Sequence, residues 1–193
     1  MQTGAAPNPH AVSAGAAPAA ASTPKGPAPL SAAQFNMPGN TGGDIARSGN
    51  QPATSVLNFA NSEIGKPYSE AANARLGPNS FDCSGLVDQD LAKVGVNFPS
   101  SGTTTGPEAN YLSTQPGWST VHSQSQVKAG DVEFFGAGAP DSGADASKFG
   151  AVGHTGIADS NTQTTSAYGT AYGVDKQPTS AEGGFVVGFQ PPA

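Results

Sequence analysis

The chain has little of several residue types on which other classes of protein depend. Its 193 residues include one cysteine, and lysine and arginine together number eight. One cysteine cannot form an internal disulfide, so the fold must do without that cross-link. The basic residues are scattered singly and the net charge is -6, so no basic stripe exists that could follow a phosphate backbone. We therefore expect no nucleic-acid partner.

Long hydrophobic runs are also missing. No stretch approaches the roughly 18 apolar residues that a membrane-spanning helix requires, and the first residues lack the basic start and apolar centre of a secretory signal. We expect no membrane span and no export by the general secretory route. Cysteines and histidines are too few for a zinc site, and Asp141, Asp145 and Asp159 are not spaced as a calcium loop, so we predict no metal and no cofactor.

Composition divides the chain into two parts. Residues 1–53 are mainly alanine, proline and glycine with almost no large apolar side chains. Such a segment buries too little surface to offset the entropy lost on ordering, which predicts a disordered or extended arm. Residues 54–193 are then one domain, long enough to form a single core.

Apolar spacing in this domain predicts helices first and strands afterwards. Periodicities over 55–64 and 83–94 predict two helices, with Asp82 as the N-cap of the second. Strands are predicted over 131–135 and 151–158, and two more in "TTSAYGTAYGV" and "GFVVGFQ". No strand alternates with a helix, so the pattern favours an α+β domain with an antiparallel sheet.

Cys83 stands where the second helix begins, a position at which unpaired backbone N–H groups favour a thiolate. A nucleophilic thiolate also needs a histidine held within reach. His10 lies in the arm and His122 in a polar stretch, whereas His154 is flanked by a glycine and followed by a strand pattern, so His154 is the better candidate base. A lone cysteine is also common as a small buried hydrophobic residue, and this alternative stays open on position alone.

Four motifs, "GKPY", "FDCSGLV", "VKAGDVEFF" and "GHTGI", follow one another in an order and spacing that resemble the NlpC family of papain-like bacterial cell-wall peptidases. The resemblance covers about residues 56–190. It implies a papain-like fold in which N-terminal helices pack on a short antiparallel sheet. It also implies Cys83 as nucleophile and His154 as general base, acting on the γ-D-glutamyl to diamino-acid bond of peptidoglycan stem peptides.

The resemblance implies substrate-binding residues as well. Tyr68 would line the pocket, and Asp82 and Ser84 would hold the free amino end of a stem peptide. The pocket wall is expected to differ from the family pattern, because "SEAANARLG" stands where many members have Trp-Gly-Gly and "NFPSSGTTT" lacks their arginine.

The polar residue that orients the histidine usually follows it by about a dozen positions in this family. Counting from His154 leads to Ser166, with Gln163 or Asn161 as substitutes if the strand register shifts. Serine is a weak orienting group, so the third catalytic residue stays open at this point.

These features predict a peptidoglycan endopeptidase, delivered as a virion or tail-associated phage lysin, with the arm bound to other proteins of the tail or of a secretion assembly. One alternative is an effector secreted by a type VI system. Another is a catalytically weak structural or plugging component of a phage tail. A third alternative is an acyltransferase or deamidase on the same scaffold, because these enzymes share thioester chemistry with the peptidase.

Overall fold

The computed structural model describes residues 51–100 and 103–193. Three helices precede most of the strands: α1 (Gln51–Ser62), α2 (Cys83–Ala92) and α3 (Thr105–Leu112). The predicted arm lies outside the described residues except for 51–53, which form the first turn of α1. Within the described ranges, no helix is both long and apolar enough to cross a membrane.

Eight strands follow the third helix in the chain, and each pair of neighbouring strands is antiparallel. Six form one sheet in the order β1-β8-β2-β5-β6-β7, and β3 pairs with β4 in a separate hairpin. Their bounds are β1 Ser119–Val121, β2 Val132–Phe135, β3 Asp145–Ser147, β4 Gly150–Val152, β5 His154–Ser160, β6 Gln163–Gly169, β7 Gly173–Pro178 and β8 Phe185–Gln190.

The helices pack on the central strands of the larger sheet. Both α1 and α2 contact β5 and β6, and α3 contacts the β3–β4 hairpin. Their apolar faces bury a core with side chains from β2, β5 and β8, which removes enough apolar surface from water to stabilise the domain. The largest fully buried members of this core are Leu91, Leu112, Phe134, Ile157 and Phe189.

The α+β prediction with an antiparallel sheet is confirmed, and the helix at Cys83 begins where it was expected. Two strand predictions were wrong and one helix was missed. The strand expected over 151–158 is interrupted at Gly153 and divides into β4 and β5. The stretch "TTSAYGTAYGV", expected as one strand, turns back after Gly169 and forms β6 and β7. Helix α3 was not predicted, because Gly106 and Pro107 stand in its first turn, where proline is tolerated, and its buried residues Ala109 and Leu112 follow only afterwards.

Candidate active site

Cys83 is the first residue of α2 and is 9% exposed. The residue before it, Asp82, is extended at φ -96° and ψ 179°, and its Oδ1 accepts a hydrogen bond of 2.6 Å from the Gly85 N–H. This is N-cap geometry, so the helix starts abruptly and the sulfur stands at the positive end of the helix dipole. Cys83 therefore stands at the capped start of a helix, as the sequence predicted.

His154 opens β5, where it pairs with Phe135 of β2. Because α2 packs against β5, the imidazole lies within hydrogen-bonding reach of the Cys83 side chain. The ring is 1% exposed and packs against Phe135 and, edge to face at 6.1 Å, against Tyr168. The preceding Gly153 is required here, since a Cβ at that position would lie 2.0 Å from the Gly143 carbonyl oxygen.

The other side of the imidazole faces a carboxylate that the sequence did not indicate. His154 Nε2 lies 2.7 Å from Oε2 of Glu182, which is fully buried. The distance is that of a hydrogen bond, but the N–H direction is poorly aligned, and the contact is best described as a buried ion pair. With Nε2 turned to Glu182, Nδ1 is the nitrogen left to face Cys83.

Charges around His154 decide its protonation. Burial by itself lowers the pKa of an imidazole, since it disfavours the charged form. The negative charge of Cys83 and its hydrogen bond, together with the Glu182 carboxylate, outweigh burial and raise the pKa of His154 to about 9. At neutral pH the imidazole is therefore protonated, with the Cys83 sulfur on one side and the Glu182 carboxylate on the other.

The residues expected to orient His154 lie elsewhere. Ser166 is buried on β6 and its hydroxyl donates to both carboxylate oxygens of Glu182 at 3.2 Å, so it contacts the orienting group and not the histidine. Gln163 and Asn161 are exposed at the β5–β6 turn. The sequence offered one weak signal for Glu182: it is the acidic residue of "PTSAEGG", a turn segment directly before a strand.

Asp82 and Ser84, expected to hold a substrate amino group, are brought together but already have a partner from the chain. The Arg75 Nε donates to Asp82 Oδ2 at 2.5 Å, and Arg75 Nη2 donates to Ser84 Oγ at 2.5 Å and to the Thr103 carbonyl at 3.0 Å. Arg75 is only 9% exposed. Its guanidinium therefore occupies the position where an ammonium group would meet these side chains.

Glycine explains how the Arg75 loop approaches so closely. The Arg75 carbonyl accepts from the Asp82 N–H at 3.2 Å, and a Cβ on Gly85 would lie 1.9 Å from that same carbonyl oxygen. The glycine of "DCSG" thus allows the loop to lie against the first turn of α2. Arg75 could not be found by motif, because it comes from the part of the loop that departs from the family pattern.

An open cleft of about 320 Å³ leads to Cys83. Tyr68 lines it as expected; its hydroxyl donates to Glu70 at 2.9 Å, and burial together with the charge of Cys83 raises its pKa. Four carboxylates face one guanidinium in the lining, so the cleft is acidic. These charged residues are Glu70, Arg75, Asp82, Asp141 and Asp145.

A metal centre has no support in the residues that the structure describes, where no group of three or more histidine, cysteine, aspartate or glutamate side chains is arranged to hold an ion. What the site offers is the Cys83 thiol on the cleft wall and, buried behind it, a protonated imidazole that contacts both the thiol and the Glu182 carboxylate. This arrangement is suited to nucleophilic attack by sulfur with proton transfer by the imidazole.

Comparisons with known proteins agree with this chemistry. The family model described as bacteriophage peptidoglycan hydrolase matches residues 54–178. The Listeria monocytogenes protein named "Probable endopeptidase p60" is 34% identical over 134 residues, which are 69% of this chain and 23% of that protein. The chain therefore spans about a quarter of that relative's length.

Solved structures show the same fold. The P60 domain of an antigen from M. avium subspecies paratuberculosis aligns with a TM-score of 0.51 and 26% identity, covering 73% of this chain and 94% of that one. The NlpC/p60 domain of the peptidoglycan hydrolase SagA aligns with a TM-score of 0.51 and 23% identity, covering 70% of this chain and 96% of that one. The chain therefore belongs to the bacteriophage peptidoglycan hydrolase family, and its domain is of the type found in NlpC/p60 cell-wall peptidases.

Proposed function

We propose that the protein is a peptidoglycan endopeptidase that cuts the γ-D-glutamyl to diamino-acid bond of stem peptides, with Cys83 as nucleophile and His154 as general acid and base. The observation that best supports this is the contact of His154 with both Cys83 and Glu182, beside an open acidic cleft that Cys83 lines. Family membership makes peptidoglycan the natural substrate.

The first half of the reaction forms a thioester. The Cys83 sulfur attacks the γ-carbonyl carbon, and the carbonyl oxygen becomes an oxyanion that the Cys83 backbone N–H, at the start of α2, can stabilise. His154 then gives its proton to the nitrogen of the diamino acid, the carbon–nitrogen bond breaks, and the amine leaves. Glu182 stabilises the imidazolium and fixes the ring orientation throughout.

The second half releases the acid. A water molecule loses a proton to the now neutral His154 and attacks the thioester carbon. The carbon–sulfur bond breaks and the D-glutamyl carboxylic acid departs, while His154 keeps the proton taken from water and so regains its starting protonated state. Each turnover therefore consumes one water and yields one carboxylic acid and one amine.

The charge of the cleft fits a diamino acid. A lining with four carboxylates and one guanidinium attracts positive charge, and the side-chain amine of the diamino acid provides it in stem peptides that are not cross-linked. Attraction of this kind raises association rates and weakens as salt is added.

A structural component without catalysis fits the geometry less well. That alternative depended on the missing Trp-Gly-Gly and on a weak orienting residue at the position of Ser166. The buried carboxylate of Glu182 beside His154 removes the second reason, because a carboxylate is a strong partner for an imidazolium. An active enzyme is the function that the arrangement supports best.

Product analysis tests the bond that is cut. Purified sacculi and defined stem peptides are incubated with the protein, and the products are separated and weighed by mass spectrometry. Hydrolysis at the proposed bond adds one water and creates a new free amine on the diamino acid. Acyl transfer would leave the glutamyl carbonyl joined to another amine, and deamidation would change the mass without breaking the peptide; either result would contradict the proposal.

We also propose delivery inside a phage particle, which the phage description of the matching family supports. The protein should then be found in purified virions, joined to tail proteins through residues 1–53. Proteomics of gradient-purified particles tests this, with a cytoplasmic protein of the host as the contamination control. Detection in the lysate but not in particles would reject virion delivery and leave the enzymatic proposal intact.

A further inference from the structure

The amino-group site that the family resemblance implies is filled by this chain itself. Both carboxylate oxygens of Asp82 have donors: the Gly85 N–H at 2.6 Å on Oδ1 and the Arg75 Nε at 2.5 Å on Oδ2. The Ser84 hydroxyl accepts from Arg75 Nη2 at 2.5 Å. The two side chains that would bind a substrate ammonium are therefore engaged by an internal cation.

This engagement is built into the fold and is not a chance contact of an exposed side chain. Arg75 is buried, is also bound to the Thr103 carbonyl, and its own carbonyl accepts from the Asp82 N–H. A buried guanidinium with hydrogen bonds to a carboxylate, a hydroxyl and a backbone carbonyl is held more firmly than one in a surface ion pair. Burial by itself would lower the pKa of Arg75, but the Asp82 carboxylate raises it, so the guanidinium keeps its charge.

The guanidinium changes what the cleft can bind. Arg75 lines the cleft beside Cys83, and a guanidinium has only hydrogen-bond donors. A substrate ammonium placed there would meet a like charge and would find the Asp82 carboxylate already neutralised. An amide at the same position presents a carbonyl oxygen, which is an acceptor, and no charge.

We propose that Arg75 makes the site selective for stem peptides whose amino end is blocked by an amide, as it is while the peptide remains attached to the glycan strand. The inference rests on the proposed function and names its substrate class: attached stems in place of trimmed peptides with a free amino-terminal alanine. The enzyme would then act directly on intact sacculi and would not depend on a preceding amidase.

Two peptides that differ in one group test this selectivity. Both are L-alanyl-γ-D-glutamyl-diamino acid-D-alanine tetrapeptides, prepared with diaminopimelate and with lysine; one has a free amino terminus and its partner is N-acetylated. We expect the full-length protein to cleave the acetylated peptide with a kcat/KM about tenfold higher or more, the size of effect expected when one charged contact is unfavourable. Equal cleavage, or preference for the free amine, would overturn the proposal.

Binding to the Cys83→Ala variant keeps the two proposals distinguishable. This variant cannot turn over, so calorimetric titration reports recognition alone. Tighter binding of the acetylated peptide by about tenfold supports the role of Arg75 whether or not the wild type cuts the proposed bond. Tighter or equal binding of the free-amine peptide contradicts that role even if hydrolysis is observed.

Substitutions at Arg75 separate its charge from its packing. In Arg75→Gln the charge is lost and Asp82 is left for a substrate ammonium, so the ratio of kcat/KM for acetylated over free peptide should fall at least about tenfold. Arg75→Lys retains the charge and should retain the preference. The ratio of kcat/KM for two substrates does not depend on the fraction of the sample that is unfolded. A purely structural role of Arg75 would therefore leave this ratio unchanged. An unchanged ratio in Arg75→Gln would overturn the assignment.

Discussion

At the scale of single residues, the proposed chemistry depends on the protonation of His154 between Cys83 and Glu182. His154 is buried and yet protonated at neutral pH, because Cys83 and Glu182 place negative charge on both sides of its ring. A buried imidazolium is stable only with such partners. The charge state that the proposed mechanism requires of His154 is therefore set by its surroundings before a substrate arrives.

Removing the charge of Glu182 should disable this arrangement. We expect Glu182→Gln to lower kcat/KM by roughly 10- to 100-fold, because the imidazolium loses its carboxylate partner and its fixed orientation. Ser166→Ala is the matched control: it removes the hydroxyl that binds Glu182 but leaves the charge, and should cost clearly less. Steady-state kinetics on one peptide substrate measure kcat/KM for both variants. A greater loss of kcat/KM in Ser166→Ala than in Glu182→Gln would instead identify Ser166 as the orienting residue.

The pH profile reports the same proton. His154 has its pKa raised to about 9, and the protonated form is the one that can give a proton to the leaving amine. Activity should therefore hold through neutral pH and fall as the pH rises through about 9. In Glu182→Gln this alkaline limb should move to lower pH, since one source of the raised pKa is gone. A wild-type limb near the ordinary imidazole value would contradict the assignment.

At the scale of secondary-structure elements, the sequence predicted the parts of the site that local pattern determines. Helix periodicity and an aspartate cap located Cys83, and a glycine-flanked strand located His154. Glu182 and Arg75 could not be located in this way, because each lies in a loop whose path depends on long-range packing. The contact of Arg75 with Asp82, for instance, requires the missing Cβ of Gly85.

That close approach gives a test at the element scale. In Gly85→Ala the new Cβ would lie 1.9 Å from the Arg75 carbonyl oxygen, so the loop must move away from α2. We expect a loss of about 1–3 kcal/mol in the free energy of unfolding, typical of overpacking, and lower activity as the Arg75 contacts are disturbed. Gly184→Ala is the control, because nothing lies within 4 Å of its added Cβ. Equal melting temperatures for the two variants would show that the loop is not held there.

At the scale of the whole molecule, buried acids should set the pH dependence of stability. Burial raises the pKa of Asp90 to about 9, of Glu133 to about 7 and of Asp131 to about 6, and that of Glu108 well above its ordinary value. Neither carboxyl oxygen of Asp90 or Glu108 has a hydrogen-bond partner among the described residues. At neutral pH Asp90 and Glu108 are therefore held protonated in the folded chain.

The direction in which stability changes with pH depends on whether the folded or the unfolded state binds more protons. Between the ordinary pKa of each acid and its raised value, the folded state holds a proton that the unfolded state has lost, so stability falls as the pH rises through that window. We expect the melting temperature to be highest at mildly acidic pH and to decline towards pH 9. Asp90→Asn, which mimics the protonated acid, should flatten this decline and add about 1–3 kcal/mol of stability at pH 8. Calorimetry across the pH range measures both, and stability that rises from pH 5 to 9 would contradict the account.

The most direct test of the central claim compares the wild type with Cys83→Ala on purified sacculi, measuring the release of new amino groups on the diamino acid. Attack by the Cys83 sulfur predicts that the variant loses at least about a thousandfold in rate while its melting curve stays close to that of the wild type. A variant that retains a rate near that of the wild type would show that another group makes the attack, and the account would be wrong.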